Sequence, residues 1–307
     1  MGFFLKFWGV RGSIPTPGWQ TRRYGGNTSC YEVRVDDTTF ILDGGTGLRE
    51  LGESLLKRAQ ADKKPVTAHM MFSHPHWDHI QGFPFFTPVY MRDNVFHIYD
   101  REGAEKNHFE LLSGQMKSDY FPVEFSDLGA HVLPQKLAAA GRVIDKVKVT
   151  FLNQVHPGGS LAYAFERDGV KLVYATDNEL DLTIADKDQP RRDPQAKRKV
   201  SQAYLDFIKG ADLLIADGQY TDDEYGSKVG WGHARATTLV DAAVEAGVKR
   251  LAISHHDPMQ TDDQVDEKVV VCRRRAERQG SDLVVFGARE KVELRLDEPA
   301  RKADEND

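Results

Sequence analysis

Six consecutive residues, His74-Pro75-His76-Trp77-Asp78-His79, place three imidazoles and one carboxylate in a single short segment. The segment follows directly on Val66 to Ser73, an apolar run that reads as a strand. So many polar groups cannot all enter a core, because burying them without partners is costly. On a tight loop they can instead converge on cations. Imidazole with carboxylate suits zinc first, and also manganese or iron. The eleven histidines divide along the same line. Seven (His74, His76, His79, His156, His233, His255 and His256) cluster beside Gly, Asp or Pro, while His69, His97, His108 and His131 are scattered. Only two cysteines occur, Cys30 and Cys272. A disulfide framework and a Cys-rich zinc ribbon are therefore both excluded, and the metal question rests on histidine.

The elements that must hold these residues follow from periodicity. Residues 3–8 and 30–35 read as strands, and Phe40-Ile41-Leu42 ends abruptly in Asp43-Gly44-Gly45-Thr46-Gly47, as a strand does when it delivers its last side chain into a cleft. A helical stripe follows at Leu48, Leu51, Leu55 and Leu56. From about 83 to 140, aromatics and prolines surround a strand at 95–99 and a helix at 102–115, which we read as an insertion capping a site. Strands are expected near 147–152, 161–166, 171–175, 213–216 and 250–254, with helices over 201–209 and 234–246. Gly247 is placed to stop the last of these helices. This is the pattern of two β-sheets packed together with helices outside: an α/β protein, a four-layer αββα sandwich in one domain over 1–297. A polar tail occupies 298–307.

Composition narrows the function classes. Among 307 residues, 47 acidic side chains outnumber 41 basic ones, for a net charge of -6. The chain has no global electrostatic footprint for nucleic acid. Lys6 and Arg11 interrupt the apolar start, and no stretch approaches the roughly 18 apolar residues of a membrane span. A cytoplasmic protein without a membrane partner is the expectation.

The run HPHWDH matches the HxHxDH signature of the metallo-β-lactamase superfamily, and the chain resembles that family. The resemblance implies the αββα fold with a binuclear metal site at one edge of the sheets. By it, Asp43 braces the metal loop, His156 in QVHPGG and His255 in LAISHHDP are further ligands, and Asp177 in YATDNE bridges. One metal would take His74, His76 and His156, the second Asp78, His79 and His255. His256 is adjacent to His255, so a one-residue shift of register stays open; His255 is the choice here. Two dications so held lower the pKa of a shared water and clamp an in-line displacement.

A narrower likeness is also present. GVRGSIPTPG, RYGGNTSCYEV, FILDGGTGL, HWDHIQGFPFF and DYFPVEF resemble ribonuclease Z/PhnP-like metallo-hydrolases. His233, in GWGHARAT at the start of the helix expected over 234–246, resembles that group's catalytic histidine; with Asp78 it forms the expected catalytic pair. Arg11, Ser13, Asn27 and Ser29 either line the pocket or form turns beneath the metal loop. Phe85, Phe86, Tyr120 and Phe121 either stack a base or belong to the core. The basic cluster Arg191, Arg192, Lys197, Arg198 and Lys199 is interleaved with Asp186, Asp188 and Asp193. With the net charge, that disfavours a large RNA and favours a small phosphodiester such as a cyclic nucleotide or dinucleotide. The competing readings are a lactone or thioester hydrolase, a ribonuclease Z-like nuclease, and a metal-bound sensor without catalysis. The aromatics of 83–122 would also suit a homodimer contact.

Overall fold

Alternating side chains along the strands sort this chain into layers. A computed structural model describes residues 2–104 and 107–298. The first sheet contains β1 (Phe3–Gly9), β2 (Cys30–Val35), β3 (Thr38–Leu42), β4 (Thr67–Met71), β5 (Val95–Arg101) and β6 (His131–Leu137). The second contains β7 (Arg142–Ile144), β8 (Val147–Gln154), β9 (Ser160–Arg167), β10 (Val170–Ala175), β11 (Leu213–Asp217), β12 (Arg250–Ser254) and β13 (Val284–Gly287). The last strand, β14 (Glu293–Arg295), returns to pair with β1, giving the orders β14-β1-β2-β3-β4-β5-β6 and β13-β12-β11-β10-β9-β8-β7.

Odd and even positions face opposite ways. Phe3, Leu5 and Phe7 of β1 and Phe40 of β3 meet Tyr163, Phe165, Tyr174 and Ile215 of the second sheet in a core between the sheets. Ile41, Ala68 and Met70 face outward beneath α1 (Leu48–Asp62), whose Leu48, Leu51 and Leu55 form the expected stripe. Val173, Leu214 and Ile253 face the other way. They lie beneath α5 (Gln202–Ile208), α7 (Ala236–Glu245) and α8 (Asp262–Arg278). Four short or peripheral helices complete the numbering in chain order: α2 (Trp77–Ile80), α3 (His108–Gln115), α4 (Gln189–Arg192) and α6 (Asp222–Tyr225). The result is the αββα sandwich, and none of the helices among the described residues is long and apolar enough to cross a membrane.

What positions the site is strand direction. β3, β4 and β5 are parallel neighbours, as are β10, β11 and β12, so each set ends on a common edge. Asp43, Ser73, Asp177 and His255 follow shortly after strands of these two sets, and Asp100 and Asp217 lie within their last residues. Ligand sites gather beyond the carboxyl ends of parallel strands for this reason.

Several elements differ from expectation. Residues 83–140 supply β5 and β6 to the first sheet and α3 to its outer face. The helix expected over 102–115 begins at His108, with Asn107 accepting the Glu110 amide as its cap. No element was expected over Asp262–Arg278, because charge dominates that helix; its buried face is the sparse stripe Val265, Val269, Cys272 and Ala276. Of the polar tail, only Glu298 lies within the described residues.

Candidate metal centre

The structure brings His74, His76 and His156 together, and beside them Asp78, His79, Asp177 and His255. Asp177 stands between the groups. Its Oδ2 is 3.6 Å from His74 Nε2 and 3.7 Å from His156 Nε2. Its Oδ1 is 3.2 Å from His79 Nε2 and 3.3 Å from His255 Nε2. Asp78 Oδ2 lies 3.1 Å from both His79 Nε2 and His255 Nε2. In the first group His156 Nε2 faces His76 Nδ1 at 3.1 Å.

Neighbouring groups decide which nitrogen of each ring faces inward. His79 donates from Nδ1 to Asp43 (2.7 Å), His156 to the Gly232 carbonyl (2.9 Å) and His255 to Gln219 Oε1 (2.9 Å). All three therefore turn Nε2 into the cluster. Burial opposes charge on His79, but Asp78, Asp177 and Asp43 outweigh it and hold its pKa well above the ordinary histidine value, so that a bound metal would take the place of that proton. Nε2 of His74 and of His79 is buried with no hydrogen-bond partner. Unpartnered ring nitrogens gathered around carboxylates suit cations, so the residues present fit a divalent metal pair.

Backbone geometry contributes as well. Asp43, Asp177 and His255 all have positive φ, at 58°, 51° and 56°. The left-handed conformation costs a non-glycine residue roughly 1–2 kcal/mol. It reverses the chain at the strand end and aims these side chains inward. Two glycines give the rings room. A Cβ on Gly232 (φ 93°) would stand 2.2 Å from His156 Nδ1, and one on Gly12 would stand 2.4 Å from His255 Nδ1.

Asp43 binds the frame together. It accepts from the Ser73 amide (2.6 Å), Ser73 Oγ (2.8 Å), the Tyr174 hydroxyl and His79. Asp43→Ala leaves these buried donors without an acceptor, which is expected to cost about 3 kcal/mol. Metal affinity is expected to weaken roughly 10–100-fold. Thermal melts and zinc titration check both, and unchanged values in both would contradict the bracing role.

Electrostatics follow the geometry. Burial opposes charge on Asp78 and Asp177, yet His79 and His255, with His74 also acting on Asp177, hold both carboxyls well below their ordinary range. Burial, with the neighbouring imidazoles, keeps His74 well below the ordinary histidine value. His233 donates from Nδ1 to Asp217 Oδ2 at 2.7 Å and stacks on His255 with centroids 4.9 Å apart. Burial disfavours its charge, but Asp217 outweighs this and raises His233 to about 9.

The other expected site residues fall in different places. Arg11 is fully buried and is spent on the carbonyls of Gly25 and Gln260 and on Asp262, so it holds loops together instead of lining a pocket. Asn27 is likewise tied to Glu290 and Thr46. Ser13 stays at the site, where its amide donates to Asp78 Oδ2 at 2.8 Å. Phe85 and Tyr120 are exposed, Phe121 is half-buried edge-on to Phe85, and Phe86 is core. No ring contact among the described residues joins these aromatics to the histidine cluster. His256 turns away from the cluster, with Nε2 donating to the Ala288 carbonyl. His233 precedes its helix, since α7 begins at Ala236.

Three contributors carried no expectation. Asp217 ends LLIAD as Asp43 ends FILD, and that repeated strand-end aspartate was the readable signal. Gln219 orients His255. Buried Glu179 accepts from the amides of Gly230 (2.7 Å) and Gly232 (2.8 Å), pinning the loop that leads into His233.

A model of the β-lactamase superfamily domain matches residues 38–256. A ribonuclease Z of Halobacterium salinarum is 24% identical over 287 residues, covering 82% of this chain and 86% of the relative. The metallo-β-lactamase fold protein YhfI of Bacillus subtilis superposes with a TM-score of 0.66 at 18% identity, over 95% of this chain and 98% of that one. A diphosphatase of the PhnP family gives 0.61 at 13% identity, over 95% and 97%. These two likenesses establish the fold. The family match runs from β3 through the residue after His255 and takes in both groups of the cluster, and the chain belongs to the β-lactamase superfamily.

Proposed function

We propose that this chain is a binuclear metal-dependent phosphodiesterase acting on a small phosphodiester, such as a cyclic nucleotide or a dinucleotide. The observation that carries the reading is Asp177, one oxygen toward His74 and His156 and the other toward His79 and His255, with the His233–Asp217 pair alongside. His74, His76 and His156 would hold one ion, and Asp78, His79 and His255 the other. When bound, such a pair supplies Lewis acidity and a water acidified toward neutral pH. Asp78, oriented by the Ser13 amide, is placed to accept a proton from the attacking water. Asp217 accepts the hydrogen bond from His233 Nδ1–H and favours the imidazolium, whose Nε2 proton can pass to the departing oxygen, leaving neutral imidazole.

Three of the five cations of the basic cluster are taken up by carboxylates, which supports a small substrate. Arg198 is buried on Asp222 and Thr237, Arg192 pairs with Asp186, and Lys197 lies 3.4 Å from Glu245. These cations are engaged within the protein, whereas holding a folded RNA takes many phosphate contacts. The likeness to ribonuclease Z favours the second reading, an RNA nuclease on the same centre. Metal-loaded protein is expected to cleave bis-p-nitrophenyl phosphate faster than p-nitrophenyl esters, lactones or nitrocefin. The reverse ranking would overturn phosphodiester chemistry in favour of attack on carbonyl carbon. A screen of cyclic mono- and dinucleotides against tRNA precursors separates the two diester readings. Preference for the precursors would sink the small-substrate one.

A further inference from the structure

Helix α8 carries one residue at odds with its surroundings. Lys268 stands within the buried stripe of Val265, Val269, Cys272 and Ala276, three positions after the first and four before the third. It is 3% exposed. Among the described residues, the lysine ion pairs belong to Lys197, Lys249 and Lys291, and Lys268 has none. Burying an ammonium group without a carboxylate is costly, and an apolar residue would continue the stripe without that cost. Burial lowers Lys268 to about 8, so the ammonium form still prevails at neutral pH.

The ammonium group is committed to two amide oxygens. Its Nζ donates to Gln260 Oε1 at 2.8 Å and to the Gln219 carbonyl at 3.1 Å. Gln260 Nε2 donates to the same carbonyl at 3.3 Å, and the Gln219 amide donates to Asp217 Oδ1 at 3.0 Å. The main chain of Gln219 is thus held at both its amide and its carbonyl. Its side chain has two ends of opposite chemistry. Nε2 donates to Asp257 Oδ2 at 3.3 Å, which leaves Oε1 to accept from His255 Nδ1 at 2.9 Å. With that proton on Nδ1, His255 faces Asp78 and Asp177 through Nε2. We propose that Lys268 is a positioning residue for the metal position of Asp78, His79 and His255, holding Gln219 so that His255 presents Nε2 to the ion. Among the described residues Lys268 donates to no residue of the cluster, so its influence runs through Gln219. The proposal rests on the metal-binding part of the phosphodiesterase reading above.

Lys268→Met keeps an unbranched side chain in the stripe and removes the three N–H donors. Spectra of ¹⁵N-histidine-labelled protein, followed through a zinc titration against a chelator, read the two metal positions separately at His255 and His156. Zinc affinity at His255 is expected to fall roughly 10–100-fold, while that at His156 stays near wild type. Metal-free melts are expected to stay near wild type, because Met continues the apolar stripe. Unchanged affinity at His255, equal losses at both positions, or a variant that no longer folds would each overturn the proposal. The second variant is Gln219→Leu, alone and combined with Lys268→Met. The combination is expected to lose no more affinity at His255 than Gln219→Leu alone, and additive losses would refute the route through Gln219. Wild-type protein that takes zinc at both positions yet cleaves no diester sinks the phosphodiesterase reading alone. Zinc held by the wild type only at His156 sinks the role of Lys268.

Discussion

Asp177→Asn is expected to lower turnover of bis-p-nitrophenyl phosphate by on the order of 10³-fold or more. Metal content is expected to fall from two ions per chain toward one. The carboxylate is nearly inaccessible to water and meets five imidazoles, those of His79 and His255 through Oδ1 and those of His74, His156 and His233 through Oδ2. An amide keeps one oxygen and turns an NH2 toward the other set of nitrogens, so one group loses its only shared anion. Because the amide is close to isosteric with the carboxylate, the fold should survive. Circular dichroism and metal-free melts serve as the control. Metal analysis alongside kinetics decides the matter: both ions retained with near-normal turnover would refute the bridging role.

The second large effect belongs to His233, and it depends on the leaving group. His233→Ala is expected to reduce hydrolysis of a dinucleotide by roughly 10²–10⁴-fold, the usual range for a lost general acid. Bis-p-nitrophenyl phosphate should suffer far less, because p-nitrophenolate departs without needing a proton. Asp217→Asn should follow the same pattern, since His233 then loses the negative charge that holds its second proton. Metal content should be intact in both variants. Equal losses on both substrates would rule out proton donation, and missing metal would place His233 among the ligands.

Much of the candidate centre was legible in the sequence because its densest part is contiguous. Six residues from His74 to His79 announce a metal loop wherever the rest of the chain goes. His156, Asp177 and His255 were locatable because each follows a strand in the order that the family resemblance implies. Arg11 and Asn27 kept two readings open in the sequence, pocket lining or turns beneath the metal loop, for an equally physical reason. An arginine or asparagine in a Gly-rich turn looks the same whether it points at a ligand or ties down a neighbouring loop. The burial of Arg11 against Asp262, 251 positions away, is not written in its own segment.

Periodicity and local motif thus determined, without any structure, two sheets with helices outside and a histidine-carboxylate loop at a strand end. Such features depend on residues a few positions apart. The sequence favoured His255 over His256 as the ligand, and tertiary structure shows how the two rings part. Both sit in one short motif, and the left-handed turn at His255 sends one ring to Asp177 and the other to Ala288. Tertiary structure alone decided that Asp217 would meet His233 and that Glu179 would hold the loop at Gly230 and Gly232. Those are meetings of strand ends and loops, and their partners exist only once parallel strands have brought distant segments to the same edge.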